Sequence, residues 1–150
     1  MKPFTVVTPY SPRPFFEKTL FSLLKSALVE YIVVVSQEPV HFNMDKCHLL
    51  VTEPLPSHKT LSLILDGIRT KYLLLLPEAQ QISIEPKIME RFLEVAESTK
   101  TGVVYSDFYD QSEHKKTLHP LNDYQLGSVR DDFDFGTIIL FSVPAIRKAL

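Results

Sequence analysis

The sequence predicts an α/β domain with a mainly parallel sheet and helices on both faces. Short β-branched or all-apolar runs alternate with stretches whose apolar residues recur at helical spacing. The runs at 32–35 and 73–76 are apolar at every position, which suits strands covered on both sides. With 150 residues, 45% apolar and 23% charged, the chain is long enough for one domain with its own core.

Phe4–Thr8 is rich in β-branched residues, is bounded by Pro3 and Pro9, and reads as the first strand. Pro12 and Pro14 open a helix, where a missing N–H costs nothing. Phe16, Leu20, Leu23, Leu24 and Ala27 give it one apolar stripe. Tyr31–Val35 and His48–Thr52 are the second and third strands. Ser57 caps a second helix with Leu61, Ile64, Leu65 and Ile68 inward, and Tyr72–Leu76 is a fourth strand. Pro86 opens a third helix, expected to bury Ile88, Phe92, Val95 and Ala96, with Gly102 after its end. Val103–Tyr105 is a fifth strand, and residues 106–134 read as a long polar, acidic loop, a length that is often functional. Thr137–Phe141 is a sixth strand, and Pro144 starts a last helix. Its apolar residues, Ala145, Ile146, Ala149 and Leu150, stop in mid-pattern. The expectation is a single domain over 1–150 that is cut short at its C-terminal end.

Several function classes are excluded at this level. Net charge is -2 and the pI is about 6.2, so no basic surface points to nucleic acid. The glycines, Gly67, Gly102, Gly127 and Gly136, cannot form a Walker A loop or a G-x-G-x-x-G turn, which need closely spaced glycines beside phosphate. Cys47 alone allows no internal disulfide and no cysteine-based zinc site, and is expected to be a reduced, partly buried thiol. No histidine pair has metalloprotease spacing. The longest apolar run, Tyr72–Leu76, is too short to span a bilayer. The expected location is the cytoplasm, including the periphery of the inner membrane.

In parallel sheets ligands bind outside the carboxyl ends of the strands. Those ends are Thr8–Pro9–Tyr10, Ser36–Gln37, Thr52–Glu53, Pro77–Glu78 and Ser106–Asp107. The order of elements, with the phrases Thr5–Tyr10, Phe15–Leu28, Ile32–Val35, Lys59–Gly67 and Tyr72–Leu76, resembles the nucleotide-sugar half of family two glycosyltransferases, which have the Rossmann-like GT-A fold. Val104–Asp107 and Arg130–Gly136 resemble a bacterial subgroup of that family. The resemblance covers essentially the whole chain.

What the resemblance implies is transfer of a sugar from a UDP- or GDP-linked donor to a glycan or lipid-linked acceptor, as in polysaccharide biosynthesis. Thr8, Pro9 and Tyr10 would line the nucleoside pocket, with Lys59 near phosphate and Arg130 clamping the diphosphate. In the family the acceptor base lies beyond the sixth strand and the helix that follows it, so this chain is expected to lack it and to be inactive alone; Asp131 and Asp132, which could face the acceptor, are the candidate bases within the chain. The family also implies a divalent cation, manganese or magnesium, held at an Asp-x-Asp. Here Pro77–Glu78–Ala79 stands in that place, leaving Glu78, with Asp107 as a candidate partner, for a weak cation site. Where the family ends its second strand in two acids, this chain has Ser36 and Gln37. These departures keep a second class open, a non-catalytic GT-A-like module that binds or scaffolds. A sugar-phosphate nucleotidyltransferase shares the broad fold, but it normally opens with a glycine-rich turn that Thr8–Pro12 lacks.

Overall fold

Val6 and Val7 are neighbours on the first strand, point to opposite faces, and are both fully buried. That is possible only if layers cover the sheet on each side. A computed structural model, which describes residues 1–106, 108–111, 116–119 and 136–150, has that construction. Its elements are β1 (Phe4–Pro9), α1 (Phe15–Leu24), β2 (Val29–Ser36), β3 (Cys47–Val51), α2 (His58–Gly67), β4 (Tyr72–Leu75), α3 (Pro86–Thr99), β5 (Val103–Tyr105), β6 (Phe108–Gln111), β7 (Lys116–His119), β8 (Ile139–Ser142) and α4 (Val143–Ala149).

The main sheet has six strands in the order β3-β2-β1-β4-β8-β5. β1 pairs in parallel with β2 and β4, and β2 with β3. The expectation of a mainly parallel α/β sheet with helices on both faces is therefore borne out. One face carries Val6, Ile32, Val34 and Leu74 under α1 and α3. The other carries Val7, Val33, Val35 and Leu73 under α2 and α4.

Four details depart from the sequence reading. β8 runs antiparallel to both its neighbours and lies between β4 and β5. Within the segment read as a loop, β6 and β7 form an antiparallel pair with Phe108 opposite His119, as their β-prone composition allows. α1 stops at Leu24, because the Ser26 hydroxyl takes the Leu28 amide at 3.2 Å and turns the chain; Ala27 is exposed. In α3 the expected Phe92 and Ala96 are buried, but Met89 takes the place of Ile88, which is exposed, and Val95 is half-buried. The unbranched Met side chain fills the space under that helix.

A buried polar contact ties β1 to the turn before β4. Thr5 and Thr70 are both buried, and their hydroxyl oxygens lie 2.7 Å apart. Thr70 donates its own proton to the Tyr72 carbonyl at 3.1 Å, so Thr5 donates to Thr70. Thr70→Val strands the Thr5 hydroxyl in the core and should lower the urea-unfolding free energy by about 1–3 kcal/mol. Adding Thr5→Val should restore part of the loss, and a purely additive double variant would show that the pair is not coupled.

Cys47 opens the edge strand β3 and is half-buried, as expected. Burial, and then the Asp45 carboxylate, push its thiol up to about 11. The thiolate is the reactive form, so modification by a disulfide reagent at pH 8 should be slow in the native protein and fast in urea. An unfolded thiol ionises near about 8.5. The raised native value thus contributes stability that is fully present below that pH and lost as the pH climbs towards 11.

Candidate functional site

Parallel ladders bring strand ends to one edge. The Tyr10 amide donates to Val35 O at 2.8 Å, Thr52 N to Ser36 O at 2.9 Å, and Leu76 N to Val7 O at 2.9 Å. The carboxyl ends of β1, β2, β3 and β4 are thus stitched side by side. β8 starts at this same edge and β5 ends there, since Ile139 pairs with both Leu75 and Tyr105. Ser106, which follows β5, and Gly136, which precedes β8, therefore both stand at the carboxyl edge, on the side of β4 away from β1.

Thr8 is 1% exposed, and its hydroxyl donates to the Pro9 carbonyl at 3.2 Å. Pro9 and Tyr10 are half-buried. The Tyr10 ring meets Phe16 edge-on at 5.4 Å between centroids and Phe42 at 6.3 Å. Phe42 comes from the chain after β2 and closes an aromatic trio over the end of β1. It was missed by sequence reasoning, although Val40, Phe42 and Met44 alternate with exposed His41 and Asn43, a legible period of two.

Ser36 is tied into its own turn, donating to Glu38 O at 2.6 Å and accepting from Glu38 N at 3.3 Å. Gln37 is the exposed side chain there. Glu78 follows β4, is exposed, and accepts a hydrogen bond from Gln80 Nε2 at 3.0 Å. Gln80 is a second residue that the sequence did not single out.

Lys59 lies in the first turn of α2, and its ammonium is 3.8 Å from Glu53. Glu53 also accepts from the Ser57 hydroxyl at 2.7 Å, while Ser57 caps the Thr60 amide. Thr60 is fully buried and donates to the Glu53 carbonyl at 2.7 Å. Lys59 thus stands beside β3, whereas Glu78 stands beside β4, with β2 and β1 between them. Tyr10 and Glu78 are brought to adjacent strand ends; Lys59 is not. The other expected residues, Asp107, Arg130, Asp131 and Asp132, lie outside the described residues.

Among the described residues no group of three or more His, Cys, Asp or Glu could hold a metal ion. Glu78 by itself does not fit a hard cation, which takes several oxygen ligands. A separate apolar groove of about 320 Å³, lined by Tyr31, His48, Leu50, Leu63 and Gly67, sits between α2 and β3. Gly67 ends α2, so the groove opens towards the amino end of the sheet, away from Tyr10 and Glu78.

No family model and no curated protein matches the sequence. Solved structures do match, along nearly the whole chain. S. aureus TarS 1–349, a glycosyltransferase, superposes with a TM-score of 0.68 at 14% identity, over 99% of this chain and 49% of that one. The fold is GT-A-like. A CMP:2-keto-3-deoxy-manno-octonic acid synthetase complexed with CTP matches at a TM-score of 0.63 and 10% identity, over 99% of this chain and 77% of its own. The 2-C-methyl-D-erythritol 4-phosphate cytidylyltransferase of Thermus thermophilus matches at 0.56 and 14%, over 100% and 79%. At such identities the likeness establishes the fold, as the resemblance of the strand phrases implied. The chain spans about half the length of TarS 1–349. No helix among the described residues is long and apolar enough to cross a membrane.

The cap of α2 holds the β3–α2 corner of this edge. Ser57→Ala removes the acceptor for Thr60 and the donor to Glu53, and should destabilise the protein by about 1 kcal/mol in thermal or urea unfolding. Ser57→Asp should retain most of the cap, and equal losses in both variants would point to a different cause.

Proposed function

We propose that this chain is the donor-binding part of a glycosyltransferase that moves a sugar from a nucleoside diphosphate to a glycan or lipid-linked acceptor. The observation that supports this most is topological. On a GT-A-like sheet, Tyr10, Glu78 and both ends of the 106–136 segment share the carboxyl edge, where open α/β sheets take their ligands. In this reading Pro9, Tyr10 and Phe42 wall the nucleoside. Glu78 accepts hydrogen bonds from ribose or sugar hydroxyls, and Arg130 clamps the diphosphate through paired N–H donors. Lys59, paired with Glu53, adds positive charge farther along the edge. A hydroxyl oxygen of the acceptor bonds to the anomeric carbon as the bond to the diphosphate oxygen breaks. The electron pair leaves with the nucleoside diphosphate, and the acceptor proton passes to a carboxylate, with Asp131 or Asp132 in that role.

With one carboxylate in place of Asp-x-Asp, a cation at Glu78 and Asp107 is held weakly at best. In this reading the protein works in the cytoplasm or at the periphery of the inner membrane, where nucleotide sugars and lipid-linked acceptors meet. The same loss of acids, at Ser36–Gln37 and at Pro77–Ala79, favours as a second reading a module that binds nucleotide without turnover.

Calorimetry with UDP and GDP, with and without manganese, tests both. One nucleotide should bind, and manganese should change its affinity by less than about threefold, in line with a poor oxygen-ligand set. Arg130→Ala should weaken it by about tenfold or more, the size of a lost charge-assisted contact. Unchanged affinity in that variant would reduce Arg130 to a structural residue, and no binding of either nucleotide would end the donor-site reading. Donor hydrolysis with a panel of nucleotide sugars bears on the two readings: turnover that is abolished in Asp131→Asn or Asp132→Asn supports the enzyme and rules out the module.

A further inference from the structure

The connection from β4 to α3 carries Glu78 but has no helix or strand of its own. Hydroxyls on one face of α1 hold it instead. Thr19, only 3% exposed, donates its Oγ1 proton to the Gln80 carbonyl at 3.2 Å and accepts the Ile82 amide at 3.2 Å. Ser22, one turn further along α1, accepts the Ile84 amide at 3.1 Å. Ile82 and Ile84 pack into the apolar cluster that α1 and α3 share with the sheet. Gln80, whose backbone Thr19 holds, turns its side-chain amide back to Glu78 at 3.0 Å. Two hydrogen bonds, joined through the covalent frame of Gln80, thus link the interior of α1 to the exposed carboxylate after β4.

A threonine inside a helix ordinarily satisfies its hydroxyl on its own helix, one turn back. Thr19 spends both its donor and its acceptor on a segment more than sixty residues away. A valine would fill the same volume without a buried polar group, and burying a hydroxyl is costly unless it is bonded. The two bonds fix the backbone on both sides of Gln81, so the turn 77–80 has one end on β4 and the other on α1.

We propose that Thr19 is a positioning residue for the donor site: through Gln80 it sets where the Glu78 carboxylate stands. The proposal rests on the reading of Glu78 as a donor-facing group. Thr19 itself touches no ligand.

The test compares Thr19→Val, Thr19→Ser, Glu78→Gln and the Thr19→Val/Glu78→Gln double variant in the full chain. Two measurements are made, amide hydrogen exchange and calorimetric affinity for UDP and GDP. Thr19→Val should speed exchange at the Ile82 amide, which loses its acceptor, by about tenfold, while the strands of the main sheet keep their protection. It should also weaken nucleotide binding by about threefold to tenfold, the range of a lost hydrogen bond. Thr19→Ser should restore both. In the Glu78→Gln background Thr19→Val should cost no further affinity, because both variants act through the same carboxylate.

Unchanged exchange in Thr19→Val, an affinity loss that persists in the Glu78→Gln background, or failure of serine to rescue would each overturn the proposal. If the wild-type chain binds neither nucleotide while exchange responds locally as described, the donor-site reading fails. Thr19 is then a structural tie, and its positioning role is overturned with that reading. If Thr19→Val instead loosens the whole sheet, the serine variant decides, since it keeps the hydroxyl and removes only a methyl group.

Discussion

The rest of the molecule depends on β1 being hydrogen-bonded in parallel on both sides. Parallel neighbours cannot be joined by a tight turn, so each connection must cross a face of the sheet. Here α1 crosses between β1 and β2 on one face, and α2 crosses between β3 and β4 on the other. The same constraint that buries Val6 and Val7 on opposite sides also sends the carboxyl ends of β1 to β4 to a common edge. Core and candidate site are two consequences of one ladder.

At that edge, polar groups are held by local turns. Ser36 is closed on Glu38, Glu78 takes the Gln80 amide, and Glu53 gathers Ser57 and Lys59. Among the described residues, no buried side-chain nitrogen or oxygen lacks a partner. The charged contacts at the edge are exposed, and exposed ion pairs are worth little. A ligand that replaces the Lys59–Glu53 contact therefore gives up almost nothing, whereas displacing Ser36 or Thr60 would open a buried turn. The edge divides into groups available to a ligand and groups that keep the edge in shape, and burial separates the two.

Much of the fold was legible because strand burial on two faces writes an unbroken apolar run, as in Ile32–Val35. A helix with one buried face writes a stripe, as in Ile64 and Leu65 of α2. Where two adjacent apolar residues could each extend a stripe, local pattern cannot choose between them. In α3 both Ile88 and Met89 were available, and the space under the helix took Met89. The candidate site was less legible for a related reason. Pro9, Tyr10 and Glu78 follow strands and could be found by position. Phe42 and Gln80 matter by where their segments fold back, and only the alternation around Phe42 left a trace in the sequence.

The sequence by itself determined the alternation of elements, the doubly covered core strands and the strand ends from which a ligand site could be built. These follow from local periodicity and from the proline and serine signals that start helices. Only the tertiary structure decided that β8 enters antiparallel between β4 and β5, that Thr5 meets Thr70, and that Thr19 holds Gln80 and Ile82. Those pairings join residues 61 to 65 positions apart, or strands whose order is set by which ladder is still open. Hydrophobic period records which face of an element is buried, but not which partner buries it.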